Sequence, residues 1–254
     1  VNLHCPQTVI AAENGRHVLC EKPLALNMRE CRKMLDACQS NGVQLGVAYS
    51  RRFYPVVRRQ KELISKRVVG AISYVQINAF EAFVPAPDHP RRWILEAERS
   101  GGGSLMDFGC HRIEVLLNLL GPVERSSGVT GKVLQDHDVE DSATVVMQFS
   151  TGAIGSITVI RGGTLDVDTV TLYGTNGTID IPNLNKGRLI VKNERDQNEE
   201  THRPHDNAHF PLIESFTNNL LNHSPPEVDG SVGLQVQTII DRIYGPLGDR
   251  FQNR

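Results

Sequence analysis

The apolar pattern keeps one rhythm before residue 50 and another after it. Residues 6–14 (PQTVIAAEN) read as a short helix stopped by Gly15. The run His17-Val18-Leu19-Cys20 then reads as a buried strand that ends in Glu21-Lys22-Pro23. Pro23 disfavours helix at Lys22, so Glu21 and Lys22 are expected at a strand end in extended geometry. Asn27 with Glu30 three positions on is a capping-box-like start. Behind it Cys31, Met34, Leu35 and Cys38 recur at helical spacing until Gly42 closes the helix, and Val43–Tyr49 is a second strand. Helix and strand alternate at short spacing, which is a parallel α/β pattern of about two units.

Past residue 50 the spacing predicts a basic amphipathic helix over 55–67 and a long strand over 71–83. A loop with Pro85, Pro87 and Pro90 leads to Arg91-Arg92-Trp93. Gly101-Gly102-Gly103 precede a helix over 104–120 that Gly121-Pro122 ends. Strands follow in hairpin-like pairs: 142–149 with 153–161, 169–174 with 178–181 around Thr175-Asn176-Gly177, then 187–193. Helices over 210–222 and 231–244 close the pattern. Successive hairpins imply an antiparallel sheet, hence a second domain of α+β type. The expected division is residues 1–49 and 50–254.

Composition narrows the function classes. A chain of 254 residues has room for one large or two modest domains and needs no disulfide or metal to hold a core. Its 27 Lys and Arg against 29 Asp and Glu leave a net charge of −2, without the basic excess of a nucleic-acid binder. The basic cluster between Arg51 and Arg67 reads as a solvated helix face. No apolar run approaches the roughly 18 residues of a membrane helix, and no signal-peptide pattern opens the chain. Cysteines 5, 20, 31, 38 and 110 form no CxxC pair, which suggests reduced thiols and a cytoplasmic setting. Cys31 and Cys38 are expected as core thiols on one helix face.

Three places carry candidate chemistry. On the 104–120 helix, Asp107, His111, Glu114 and Asn118 fall on a face apart from the apolar stripe of Met106, Cys110, Ile113, Leu117 and Leu120. An Asp one turn before a His can orient the imidazole and raise its basicity, making a general acid/base unit. A surface helix with mixed polar residues has the same spacing; the three glycines favour the first reading because they let other groups approach the helix start. Lys22 stands where ligands bind in open α/β sheets, outside a strand's carboxyl end, and can stabilise an alkoxide there. A solvated charge is the commoner fate of a lone lysine. His202, His205 and His209 are spaced three and four apart, but Pro204 and the polar run Asn198-Glu199-Glu200-Thr201 argue for an exposed loop rather than a metal site.

With these pieces placed, the sequence resembles the glucose–fructose oxidoreductase / inositol dehydrogenase (Gfo/Idh/MocA) family of nicotinamide-dependent oxidoreductases. The matching stretches are Leu3-His4, HVLCEKPLALN at 17–27, AYSRRFYP at 48–55, SGGGSLMDFGCHRIEVLLNLLG at 100–121, VEDSATVVMQF at 139–149, LYGTNGTIDI at 172–181 and VDGSVGLQVQTIIDRIY near the end. The resemblance implies an α/β plus α+β fold: a Rossmann domain that binds NAD or NADP, then a domain with a large, open, mainly antiparallel sheet. It implies hydride transfer with a sugar, cyclitol or polyol, in a homodimer or homotetramer formed through that sheet. Carried over, Lys22 polarises the substrate oxygen, His111 exchanges its proton, and Asp107 orients His111 or bonds substrate. His4, Glu21, Lys22, Pro23 and Arg51 border the nicotinamide, Arg92 and Trp93 face the substrate, and no metal, nucleic acid or membrane is involved.

One departure stands out. The family's G-x-G-x-x-G loop, which seats the pyrophosphate on a helix N-terminus, occurs nowhere in these residues. The chain also opens Val1-Asn2 without Met, so an N-terminally truncated family member is expected, either a fragment or a shortened protein. Impaired NAD(P) binding and inactivity of this chain alone follow as expectations. A non-catalytic self-association module and an NAD-assisted lyase or glycosidase are the alternatives.

Overall fold

The computed structural model describes residues 1–134 and 137–245. It opens with helix α1 (His4–Glu13), strand β1 (Val18–Cys20), helix α2 (Met28–Ser40) and strand β2 (Leu45–Val47), and the two strands pair in parallel. Asn27 caps α2 by accepting the Glu30 N–H at 3.0 Å, as the spacing indicates. Cys31, Met34 and Cys38 form its buried face. Burial pushes the thiols up, that of Cys20 to about 12, so these cysteines are apolar packing units. A 3₁₀ turn (Ser50–Phe53) leaves β2, and helix α3 (Pro55–Ser65) starts with proline at its first position.

Strand β3 (Ile72–Glu81) enters the second sheet, and a loop, a 3₁₀ turn (Arg92–Leu95) and the short helix α4 (Ala97–Ser100) lead away from it. A π-type turn (Leu105–Gly109) runs directly into helix α5 (Cys110–Leu120). Strands β4 (Val123–Gly131), β5 (Ser142–Phe149), β6 (Ile154–Arg161), β7 (Val167–Gly174), β8 (Gly177–Ile181), β9 (Arg188–Lys192) and β10 (Gln197–Thr201) follow, then helices α6 (Phe210–Leu221) and α7 (Gly230–Tyr244). The sheet has eight strands in the order β10-β9-β8-β7-β3-β6-β5-β4, and all neighbours are antiparallel except β3 with β6. The fold is a Rossmann-like region followed by an α/β domain with a large mixed sheet.

One face of the sheet is buried by strand alternation: Val75, Ile77 and Ala79; Val145, Met147 and Phe149; Ile157 and Val159; Val170 and Leu172. Helix α5 and the π-type turn pack on β6, and α7 packs on β4 as well as on α2, β2 and α5. Each fully buried Val, Leu, Ile, Phe or Met contributes about 1.5–3 kcal/mol, so this face dominates the attachment of α5 to the sheet.

Two strands depart from expectation. β4 and β10 were not signalled by the pattern, and residues 198–201 are strand rather than loop. Both lie at the sheet's edges, where the polar pattern of a strand wet on both faces cannot be told from that of a loop. The 104–120 helix is not a uniform α-helix with one solvated face: it begins as a π-type turn, and His111 and Glu114 are buried.

Candidate active site

The inner face of the sheet is apolar until its last residues. Extending the period-2 alternation, β3 ends on Glu81, β6 ends on Arg161 and β7 carries Asp168 near its start, all at one end of the sheet. Glu81 and Arg161 are register partners, and Arg161 Nε donates to Glu81 at 2.9 Å. The π-type turn and the start of α5 lie over this polar end and contribute Asp107, His111 and Arg112. From the other side comes Lys22, at the end of β1, in a segment whose Lys22–Pro23 peptide is cis.

Lys22 Nζ donates to the Asp107 carbonyl oxygen and to Asp107 Oδ1, both at 2.7 Å. Arg161 donates to Asp107 Oδ2, and Arg91 lies 3.5 Å from the same oxygen. Burial alone would raise the Asp107 pKa; Lys22 and Arg161 outweigh it and hold the carboxyl far below its usual range. Arg112 forms a two-point pair with Asp168 (3.2 and 2.7 Å), and Asn185 donates to the same Asp168 at 3.1 Å.

His111 is buried, and Nδ1 has no hydrogen-bond partner. The Tyr49 ring meets it edge-on at 5.7 Å. Burial, then the charges of Arg51, Lys22 and Arg112, push its pKa well below the ordinary value, so the imidazole is neutral. Asp107 does not orient it: both carboxylate oxygens are committed to cations. In a turn wound i→i+5, the i,i+4 rule that would bring Asp107 and His111 together does not hold.

The glycines set the entry into this turn. Gly101 adopts φ +80° at the C-cap of α4, a conformation that favours glycine. At Gly103 a Cβ would stand 1.8 Å from the Glu140 carbonyl oxygen. The Glu140 carboxylate accepts from the Gly103 N–H (2.7 Å), the Leu105 N–H (2.9 Å) and the Tyr244 hydroxyl (2.7 Å). It caps a helix start that has no local side-chain cap.

The structure brings Lys22, Asp107 and His111 together. His4 reaches the same segment through Nδ1, 2.9 Å from the Pro23 carbonyl oxygen, while Glu21 is exposed beside it. Arg51 lies close enough for its charge to act on His111. Arg92 donates to the Pro85 carbonyl at 3.0 Å and braces the preceding loop, Trp93 is half-buried, and the neighbouring Arg91 reaches Asp107 instead. Sequence reasoning missed Glu81, Arg161, Asp168 and Glu140. The signal for the first three is a charged residue at an inward strand position. His202, His205 and His209 lie between β10 and α6, and no cluster among the described residues has the make-up of a metal site.

Comparison with known proteins agrees with this layout. Residues 2–49 match the oxidoreductase family with an NAD-binding Rossmann fold, and residues 57–180 match the GFO/IDH/MocA C-terminal domain. Among curated relatives, myo-inositol 2-dehydrogenase of Thermotoga maritima is 24% identical over 91% of this chain and 70% of its own length. Levoglucosan dehydrogenase of Pseudarthrobacter phenanthrenivorans is 26% identical over 70% of this chain and 52% of its own length. The solved structure of levoglucosan dehydrogenase with NADH superposes with a TM-score of 0.85 at 24% identity, covering 95% of this chain and 74% of that one. No helix among the described residues is long and apolar enough to cross a membrane.

Proposed function

The chain belongs to the GFO/IDH/MocA family of oxidoreductases, and from that premise we propose that it serves NAD(P)-dependent oxidation of a hydroxyl on a sugar, cyclitol or related polyol, or the reverse reduction. The observation that carries this reading is the pairing of Lys22 with Asp107 beside a buried, neutral His111. Lys22 spends two of its three N–H donors on Asp107, and the third is left for a substrate oxygen. That ammonium stabilises the alkoxide character that develops as the carbinol hydrogen departs. His111 accepts the hydroxyl proton on its imidazole through Nε2, since Nδ1 is closed off by the protein, and its lowered pKa keeps it in the accepting form at neutral pH. Asp107, fixed as a carboxylate by Arg161, positions Lys22.

The residues fit the nicotinamide end of a dinucleotide: His4 fastens the Glu21-Lys22-Pro23 segment at the carboxyl end of β1, and Lys22 reaches from it to Asp107. A bound NAD or NADP supplies the hydride acceptor. The pyrophosphate end finds no glycine-rich loop among these 254 residues, so this chain alone binds the dinucleotide weakly and turns over little. The outer face of the sheet exposes Val146, Ile154 and Tyr173, and we assign it to self-association into a homodimer or homotetramer. Light scattering tests this; a monomer rejects it.

The direct test of the reaction is substrate-dependent nicotinamide reduction across a panel of aldoses, cyclitols and polyols, with product analysis. A carbonyl product at the former carbinol supports the proposal. An eliminated or hydrolysed product, or no cofactor reduction with any member, rejects it.

A further inference from the structure

The two arginines after β2 have different surroundings. Arg52 is fully engaged: Nε donates to the buried Glu114 at 2.5 Å and a terminal nitrogen donates to the Glu227 carbonyl at 3.0 Å. Arg51 is not. Its Nε–H is buried without a hydrogen-bond partner, and no carboxylate pairs with its guanidinium among the described residues. Its 3₁₀ turn packs on α5, and its charge is the strongest of those acting on His111.

The other cations of the site are already matched. Lys22 and Arg161 hold Asp107, Arg161 also holds Glu81, and Arg112 holds Asp168. The Asp168 charge reaches Arg51, but both Asp168 oxygens are bonded to Arg112 and Asn185. Burial and repulsion by Arg112 push the Arg51 pKa down to about 10. Arg51 is half-buried, its terminal nitrogens are not among the closed-off atoms, and a partly desolvated charge with unspent donors gains from an anionic partner. A guanidinium's planar fork matches a carboxylate at two points, and this one lies beside the base that takes the hydroxyl proton.

We infer that Arg51 recognises a carboxylate on the substrate, and that the site therefore takes a sugar acid or related hydroxy-carboxylate in preference to a neutral polyol. The inference rests on the dehydrogenase reading for the identity of the reacting group. It assigns Arg51, which the family resemblance places at the nicotinamide border, to the substrate. It also has an electrostatic consequence: an anion against Arg51 relieves its repulsion with Arg112 and offsets the cations around His111, so the imidazole becomes more basic when substrate is present.

The test is calorimetry of this chain with D-glucuronate, D-galacturonate and D-gluconate beside D-glucose, D-galactose and D-glucitol, in wild type, Arg51→Gln and Arg51→Lys. NADH is the control ligand, and the His111 imidazole is followed by NMR. At least one acid is expected to bind about tenfold or more tightly than its neutral partner. Arg51→Gln erases that preference, Arg51→Lys keeps part of it, and the acid raises the His111 pKa in wild type but not in Arg51→Gln. Equal binding of acids and neutral sugars, no binding of any acid, or an acid preference that survives in Arg51→Gln overturns the inference, as does an Arg51→Gln defect confined to NADH. Turnover separates the two readings. Oxidation of neutral sugars without acid preference removes this inference and leaves the dehydrogenase. Arg51-dependent acid binding with no nicotinamide reduction does the opposite.

Discussion

At the scale of the residue, the site works by dividing charges between two jobs. Asp107 is locked between Lys22 and Arg161, while His111 is kept neutral by burial and by the cations around it. The pH dependence has a definite sign. A base whose pKa is lowered stays unprotonated to lower pH, so the acid limb of kcat/KM is expected below the ordinary histidine value of 6.5. A limb at or above 6.5 contradicts the assignment of His111 as base. Lys22, Asp107 and His111 stood out as candidates in the sequence because a strand end before proline and a glycine run before a helix are local signals. The Asp107–Lys22 contact was not legible, since it joins positions 85 apart. The expected Asp107–His111 contact rested on α-helical spacing that the π-type turn does not obey.

At the scale of the element, the site depends on how α5 begins. The turn over 105–109 is pinned by Glu140, which arrives from the segment just before β5 and accepts its Leu105 N–H and the N–H of Gly103 just ahead of it. Gly103→Ala would drive a methyl group to 1.8 Å from the Glu140 carbonyl oxygen, a backbone contact that cannot swing aside. The expected result is a loss of roughly 1–3 kcal/mol, read as a lowered Tm, together with a lower kcat. An unchanged Tm would mean that the turn is not held there. Buried strands were legible from alternation, down to the polar ends at Glu81, Arg161 and Asp168 had the inward phase been followed to its last residue. β4 and β10 were not, because edge strands bury too little on either face to show alternation. The parallel β3–β6 pairing was also hidden, since about 80 residues and two other strands separate its partners.

At the scale of the molecule, α7 joins the two regions: it packs on α2 and β2 on one side and on β4 and α5 on the other. The Glu21-Lys22-Pro23 segment and the polar cluster at the end of the sheet are thereby held on one frame. What these 254 residues lack is a glycine-rich pyrophosphate cradle. Calorimetry of this chain with NADH is therefore expected to give a Kd weaker than about 100 μM, which is less than about 5.5 kcal/mol of binding free energy. Binding at about 1 μM would show that the dinucleotide is gripped without such a loop. The order of a Rossmann-like region followed by a large-sheet domain was legible in the change of rhythm along the chain, whereas the bridging role of α7 was not, because nothing in a helix's own periodicity names its partners.

The central claim is that Lys22 and His111 carry the chemistry. The measurement that tests it most directly is steady-state turnover at saturating NAD(P) and substrate, comparing wild type with Lys22→Met and His111→Asn of unchanged Tm. The account predicts that each substitution lowers kcat by about 10²-fold or more, the range for lost electrostatic or acid/base assistance. Wild-type turnover in either variant would contradict it.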